Sequence, residues 1–167
     1  MKIAVYPGSF DPFTNGHLDI LDRSLKMFDQ IIVAVLINPT KTCLFPSSKR
    51  IEMINMVAEG YKNVKVAQFD GLMVDFCKKV GACSVIRGLR AVSDYEYELQ
   101  LVNINKQLAP EIETVFLMSS VHCAFLSSSI VKEVARCGGK IDQMVPAVVA
   151  SELEKHFNTT WKIKGKE

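Results

Sequence analysis

Four short groups of residues carry side chains able to do chemistry. The first is Tyr6-Pro7-Gly8-Ser9-Phe10-Asp11-Pro12-Phe13-Thr14-Asn15-Gly16-His17, between a strand-like run and an amphipathic stretch. Gly8 and Gly16 let backbone approach an anion closely, and a helix N-terminus offers free N–H donors and a favourable dipole. His17 falls in that first turn, where its imidazole can donate to a phosphate oxygen; a capped turn with a satisfied histidine is the plainer alternative. The second group is Ile86-Arg87-Gly88-Leu89-Arg90, two guanidiniums around a glycine at a strand end. Arginine's planar fork suits phosphate oxygens better than lysine's point charge. The third is Phe125-Leu126-Ser127-Ser128-Ser129-Ile130-Val131-Lys132, a serine triplet opening a helix. Its hydroxyls and free N–H groups can hold a polyphosphate or simply cap the helix. No capping box follows Ser129, because Lys132 stands where Glu or Gln is needed. The fourth is Lys41, alone in a loop two residues after Pro39.

These groups are spaced by alternating strand-like and helical segments. Strands are expected over Lys2–Tyr6, Gln30–Leu36, Val64–Phe69, Ser84–Arg87 and Thr114–Met118. Helices are expected near Gly16–Phe28, Ser48–Glu59, Met73–Val80, Asp94–Leu108, Ser129–Cys137 and Pro146–Phe157. In the first helix Leu18, Leu21, Leu25 and Phe28 share one face at the helical period. Ser93-Asp94-Tyr95-Glu96 reads as a capping-box start for the fourth. Strands alternating with helices imply βαβ units with right-handed crossovers, hence an α/β, Rossmann-like, doubly wound parallel sheet of five strands. Its ligand crevice should lie beyond the carboxyl ends of the strands. A single domain is expected over 1–158, followed by a basic tail over 159–167 that holds Lys162, Lys164 and Lys166.

Composition narrows the partners. At 167 residues the chain can bury one ordinary core. A net charge of +2 gives no global signal for nucleic acid or membrane, so anion binding must be local. No run of about 18 apolar residues and no signal peptide is evident in the sequence. The five cysteines are scattered without zinc or disulfide spacing, which fits free thiols in a reducing cytoplasm.

The first group is neither GxGxxG nor a P-loop. It resembles the HxGH-type signature of the nucleotidyltransferase superfamily, with Thr14 in the first histidine's place. That Thr-x-Gly-His form, together with Arg87-Gly-Leu-Arg-Ala-Val-Ser-Asp-Tyr-Glu-Tyr-Glu98 and the serine helix, is similar to the bacterial-type phosphopantetheine adenylyltransferases of coenzyme A biosynthesis. The likeness runs from Ile3 to about Pro146. It implies transfer of the adenylyl group of ATP to 4′-phosphopantetheine, giving dephospho-coenzyme A and pyrophosphate, with Mg2+ arriving with ATP. It also implies a homohexamer, a dimer of trimers, inhibited by coenzyme A. Carried over by residue, the catalytic groups are His17, Lys41 and Arg90. ATP would meet Ser9, Phe10, His17, Gly88, Leu89, Arg90 and Glu98, and the segment Cys123, Ala124, Phe125, Leu126, Ser127, Ser128, Ser129. The acceptor would meet Ser9, Lys41, Met73 and Arg87; no protein-held metal is expected.

The acceptor phosphate is already an anion, so such a reaction needs no general base. The sequence agrees in offering no Ser-His-Asp pattern and no nucleophilic cysteine arrangement. Catalysis would then be positioning plus charge stabilisation. The chain departs from the family pattern at Cys123, where an aromatic residue is common, and in the loop Thr40-Lys41-Thr42-Cys43. The start of the second helix, Pro46-Ser47-Ser48-Lys49-Arg50, lacks the usual acid. Other readings are a different nucleotidyltransferase of the superfamily and a silent module that senses nucleotide or coenzyme A. The long fourth helix has more apolar positions than one face needs, which fits either an interface or deep burial.

Overall fold

Alternation of side chains across each strand sorts the core into two layers around a sheet. A computed structural model describes residues 1–37, 42–90 and 92–157, apart from the side chains of Val92, Ser93, Asp94 and Tyr97. The strands are β1 (Ile3–Gly8), β2 (Gln30–Leu36), β3 (Val64–Phe69), β4 (Ser84–Leu89) and β5 (Glu113–Met118). All neighbouring pairs are parallel, in the order β3-β2-β1-β4-β5. On β1 and β2, Ala4, Tyr6, Ile31, Val33 and Val35 face one layer, while Val5, Ile32 and Ala34 face the other. That two-residue period buries both faces, as a doubly wound sheet requires.

The helices are α1 (Asn15–Ser24), α2 (Ser47–Ala58), α3 (Met73–Val80), α4 (Val92–Leu108), α5 (Ser128–Arg136) and α6 (Ala147–Phe157), with a short 3-10 turn at Val121–Cys123. The first layer packs Ile20 and Leu21 of α1, Met53 and Ile54 of α2, Val131 of α5 and Val149 and Leu153 of α6. The second holds Val74 and Cys77 of α3, with Ala109 and Ile112 after α4. The expected elements are all present, some with shifted ends. The first helix stops at Ser24 rather than Phe28, and the Ser24 hydroxyl donates back to the Ile20 carbonyl at 2.6 Å. Leu25 and Phe28 still pack on the core from the turn that follows. The expected capping box at Ser93, the loop lysine Lys41 and the tail 159–167 lie outside the described residues or side chains.

The strand order reverses between β1 and β4. There the ladder is short: β1 pairs with β4 only at Ala4↔Ser84 and Val5↔Val85, although it stays paired with β2 out to Gly8↔Val35. Pro7 has no N–H to give a ladder. The two central strands therefore separate at their carboxyl ends and open a crevice at the topological switch point.

On α4, Tyr95, Leu99, Ile104 and Leu108 are exposed. Deep burial within the chain, one of the two readings of this helix, does not hold for them.

Candidate active site

A cleft of about 410 Å³ occupies that opening, floored by the ends of β1 and β4 and walled by α1, the 3-10 turn and the start of α5. Its geometry begins with the turn after β1. Phe10 takes a left-handed φ of 47°, unusual for a residue with a side chain, and its ring is 3 % exposed. Folded back this way, the ring covers Gly8, where an added Cβ would lie 2.8 Å from the ring. Phe10 also sits edge-on to Tyr6 at 5.3 Å and to His17 at 5.1 Å between centroids. The aromatic group sets the plane of the imidazole. A cis peptide joins Asp11 to Pro12 in the same turn.

Thr14 caps α1 reciprocally. The His17 N–H donates to Thr14 Oγ1 at 3.3 Å, and the Thr14 N–H donates to His17 Nδ1 at 2.9 Å. The capped-turn and phosphate-donor readings of His17 are thus compatible. With Nδ1 accepting, the neutral ring carries its proton on Nε2. Burial, and then the positive charge of Arg90, push the His17 pKa down to about 4. His17 is a neutral donor near pH 7, and it lines the cleft.

The cations come from β4 and its exit. Arg87 is gripped by Glu98 of α4: Nε donates to Oε2 at 2.7 Å, and Nη2 donates to Oε1 in a second contact. Its Nη1 donates to the Pro7 carbonyl at 3.4 Å, across the separated strands. Such a bidentate grip fixes the guanidinium plane. Arg90 donates to the Leu126 carbonyl at 3.2 Å, tying the β4 exit to the loop before α5. Gly88 faces α1, where a Cβ would stand 3.2 Å from Ile20.

The three serines divide their work. Ser127 is the N-cap of α5, accepting from the Ile130 N–H at 3.1 Å. Ser128 Oγ donates to the Pro12 carbonyl at 2.8 Å, so α5 is pinned to the first turn. Ser129 lines the cleft with them, beside the open N–H groups of the helix start.

The cleft brings together most of the expected residues: Phe10, His17, Arg87, Gly88, Arg90 and Glu98, with Cys123, Leu126 and the three serines opposite. Glu98, expected on the nucleotide, uses its carboxylate to hold Arg87. Ser9, Leu89, Met73, Ala124 and Phe125 are not on its wall. Leu89 is buried in the sheet, and its carbonyl accepts from the Ser119 N–H at 2.8 Å. Met73 packs on the second core layer, and Phe125 stands 84 % exposed. The Ser9 carbonyl accepts from Arg50.

Two participants carry no assigned role in the sequence motifs. Tyr6 lines the cleft although its ring is buried, and burial, offset by nearby Arg87, raises its hydroxyl pKa. Its alternation on β1 reads as core; only its place at a strand end could have flagged it. Asp19 accepts from the Ser120 N–H at 3.2 Å and pairs with Arg23, holding the segment after β5 beside α1.

The cytidylyltransferase-like family matches residues 5–134. The phosphopantetheine adenylyltransferase of Caldanaerobacter subterraneus subsp. tengcongensis is 51 % identical over 157 residues, covering 94 % of this chain and 98 % of that protein. The one from Heliobacterium modesticaldum is 52 % identical, covering 99 % of this chain and 98 % of its own. The one from Leptospira biflexa serovar Patoc is 53 % identical, covering 94 % and 98 % respectively. A solved structure from Vibrio parahaemolyticus, described as a nicotinate-nucleotide adenylyltransferase, superposes with a TM-score of 0.71 at 16 % identity, covering 92 % of this chain and 99 % of that one. That likeness shows the fold alone. Half the residues shared with full-length relatives, and a switch-point cleft built from the shared motifs, place the chain in the phosphopantetheine adenylyltransferase family of the cytidylyltransferase-like group.

Proposed function

We propose that the chain transfers the adenylyl group of ATP to the phosphate of 4′-phosphopantetheine, forming dephospho-coenzyme A and releasing pyrophosphate. The observation that carries this reading is the convergence on one cleft of a neutral Nε2–H donor at His17, the guanidiniums of Arg87 and Arg90, and the serine start of α5. A phosphate monoester has its second pKa near 6, so the acceptor enters as a dianion and no base is needed. An acceptor oxygen attacks the α-phosphorus of MgATP in line. The new P–O bond forms as the bond to the β-phosphate bridging oxygen breaks, and pyrophosphate takes the electron pair. No covalent enzyme intermediate arises.

The chain's own groups position and neutralise. His17 donates from Nε2 to a phosphate oxygen whose charge grows at the transition state, and neutrality keeps its Nδ1 on the Thr14 N–H. Arg87, oriented by Glu98, suits the acceptor phosphate; Arg90 and the α5 start suit the polyphosphate. Family resemblance adds Lys41 to these cations and Met73 to the acceptor side. Magnesium would enter with ATP as part of that substrate and would offset phosphate charge there.

The exposed apolar side chains of α4 support assembly into the dimer of trimers that the resemblance implies. Among the described residues no helix is long and apolar enough to cross a membrane. We place the reaction in the cytoplasm, with coenzyme A as an inhibitor competing for the same cleft.

Pyrophosphate release from MgATP, measured with 4′-phosphopantetheine, nicotinamide mononucleotide or glycerol 3-phosphate, tests the proposal. Release that requires phosphopantetheine supports it. Release only with another acceptor keeps the fold's general chemistry and discards this substrate. Tight binding of ATP or coenzyme A without any release would make the chain a sensor.

A further inference from the structure

Asp11 does not line the cleft, yet two other segments, Leu44-Phe45 and α5, meet on its carboxylate. It is 4 % exposed. Its Oδ2 accepts from the Leu44 N–H at 2.7 Å and its Oδ1 from the Phe45 N–H at 2.9 Å. Lys132 of α5 adds its ammonium to Oδ2 at 3.0 Å. Leu44 and Phe45 close the stretch that follows Lys41 and lead into α2. A buried arginine completes the bracket: Arg50 of α2 donates from Nε to the Phe45 carbonyl at 3.1 Å and from Nη1 to the Ser9 carbonyl. Ser128 closes the circuit through the Pro12 carbonyl at 2.8 Å.

A carboxylate this buried is costly unless its lone pairs are filled. Here two adjacent amides and one ammonium fill them, from two segments far apart along the chain. Asp11 is tied to partners 33, 34 and 121 residues away. Other buried groups would hold the core more cheaply. What this arrangement adds is a fixed spacing between the Ser9–Pro12 turn, the segment behind Lys41 and the serine end of α5.

We propose that Asp11, working through Lys132, is a positioning residue for adenylyl transfer. It sets the distance between the phosphate-facing turn of α1 and the start of α5, and it anchors Leu44-Phe45 ahead of α2. The proposal rests on the adenylyl-transfer reading for its kinetic consequence, but its effect on ATP binding does not depend on which acceptor is used.

The test compares wild type with Asp11→Asn, Lys132→Met, Lys132→Arg and the double variant Asp11→Asn/Lys132→Met. An amide offers one acceptor oxygen where two N–H groups and an ammonium need several lone pairs. Displacement of reacting groups by about 1 Å can cost roughly 100-fold in rate, so kcat/KM should fall roughly 10- to 100-fold in Asp11→Asn at a temperature where it is fully folded. ATP affinity, measured by direct titration, should weaken in parallel. Lys132→Met should lose several-fold, Lys132→Arg should recover it, and the double variant should be no worse than Asp11→Asn alone. Glu152→Gln serves as the comparison: it breaks the bridges from Glu152 to Lys49 at 2.9 Å and Lys155 at 2.8 Å, away from the cleft. It should lower Tm and leave kcat/KM and ATP affinity in place.

Wild-type kcat/KM and ATP affinity in Asp11→Asn would overturn the proposal. So would an effect of Lys132→Met that simply adds to that of Asp11→Asn, or losses that track Tm as strongly in Glu152→Gln. If Asp11→Asn does not fold, the Lys132→Met and Lys132→Arg pair decides, since recovery by arginine is required. A wild type that turns over no acceptor would refute the substrate reading, and the ATP affinities of the variants would still judge Asp11.

Discussion

Titration of His17 probes the site more finely than activity can. The ring is packed between Phe10 and Phe13, and Arg90 adds a positive charge; both disfavour the imidazolium and bring the pKa from 6.5 to about 4. At pH 5 about nine-tenths of His17 should still be neutral, against roughly 3 % of an ordinary histidine with a pKa of about 6.5. Between these two values the unfolded chain binds a proton that the folded chain refuses. Stability is therefore full above about pH 6.5, falls as pH drops toward 4, and flattens below it. The whole effect is worth up to about 3 kcal/mol. The assay is nitrogen-15 NMR of the three histidine rings, with His17 assigned by its loss in His17→Ala. The same spectra report the tautomer, and the proton should sit on Nε2 while Nδ1 holds the Thr14 N–H. A midpoint near 6.5 would mean that the aromatic packing does not exclude the imidazolium, and a proton on Nδ1 would mean that Nε2 is not the donor.

Three other perturbations separate the parts of the cleft. Gly8→Ala drives a methyl group into the Phe10 ring, with a contact of 2.8 Å before relaxation. It should destabilise by about 1–3 kcal/mol in chemical denaturation and weaken ATP binding as the imidazole loses its support. Glu98→Gln releases Arg87 from its grip, so the KM for the acceptor should rise roughly 10-fold with a smaller change in the KM for ATP. The reverse split would restore Glu98 as a nucleotide contact. Ser127→Ala removes the α5 cap and should cost about 1 kcal/mol of stability in thermal melts, with weaker ATP binding.

The parallel sheet was legible because its strands carry β-branched runs at regular intervals, and β2, β3 and α3 have the expected bounds. Strands β1 and β4 run two residues beyond their expected ends, through Pro7-Gly8 and Gly88-Leu89. Proline and glycine read as breakers, yet at these two positions they extend strands whose mutual ladder has already stopped. The cleft exists because of that mismatch between strand length and pairing. His17, Arg87, Arg90 and the serines were legible from residue type and motif. The roles of Asp11, Asp19 and Arg50 were not, since they come from partners far along the chain, even though Asp11 stands inside the first motif. Tyr6 was hidden by the opposite effect: its strand periodicity is that of a core residue. Met73 and Phe125 rest on motif position alone: one packs partly buried on the second core layer and the other stands exposed, outside the cleft wall.

The cleft organised around His17 is proposed to join ATP to phosphopantetheine. Wild type and His17→Ala should be compared for pyrophosphate release from MgATP with 4′-phosphopantetheine, alongside direct titration of ATP. Loss of a preorganised donor predicts a fall in kcat of about 100- to 1,000-fold, with ATP affinity changed little. Near wild-type turnover in His17→Ala would rule out this role for the histidine, and release of pyrophosphate that does not depend on phosphopantetheine would rule out the acceptor.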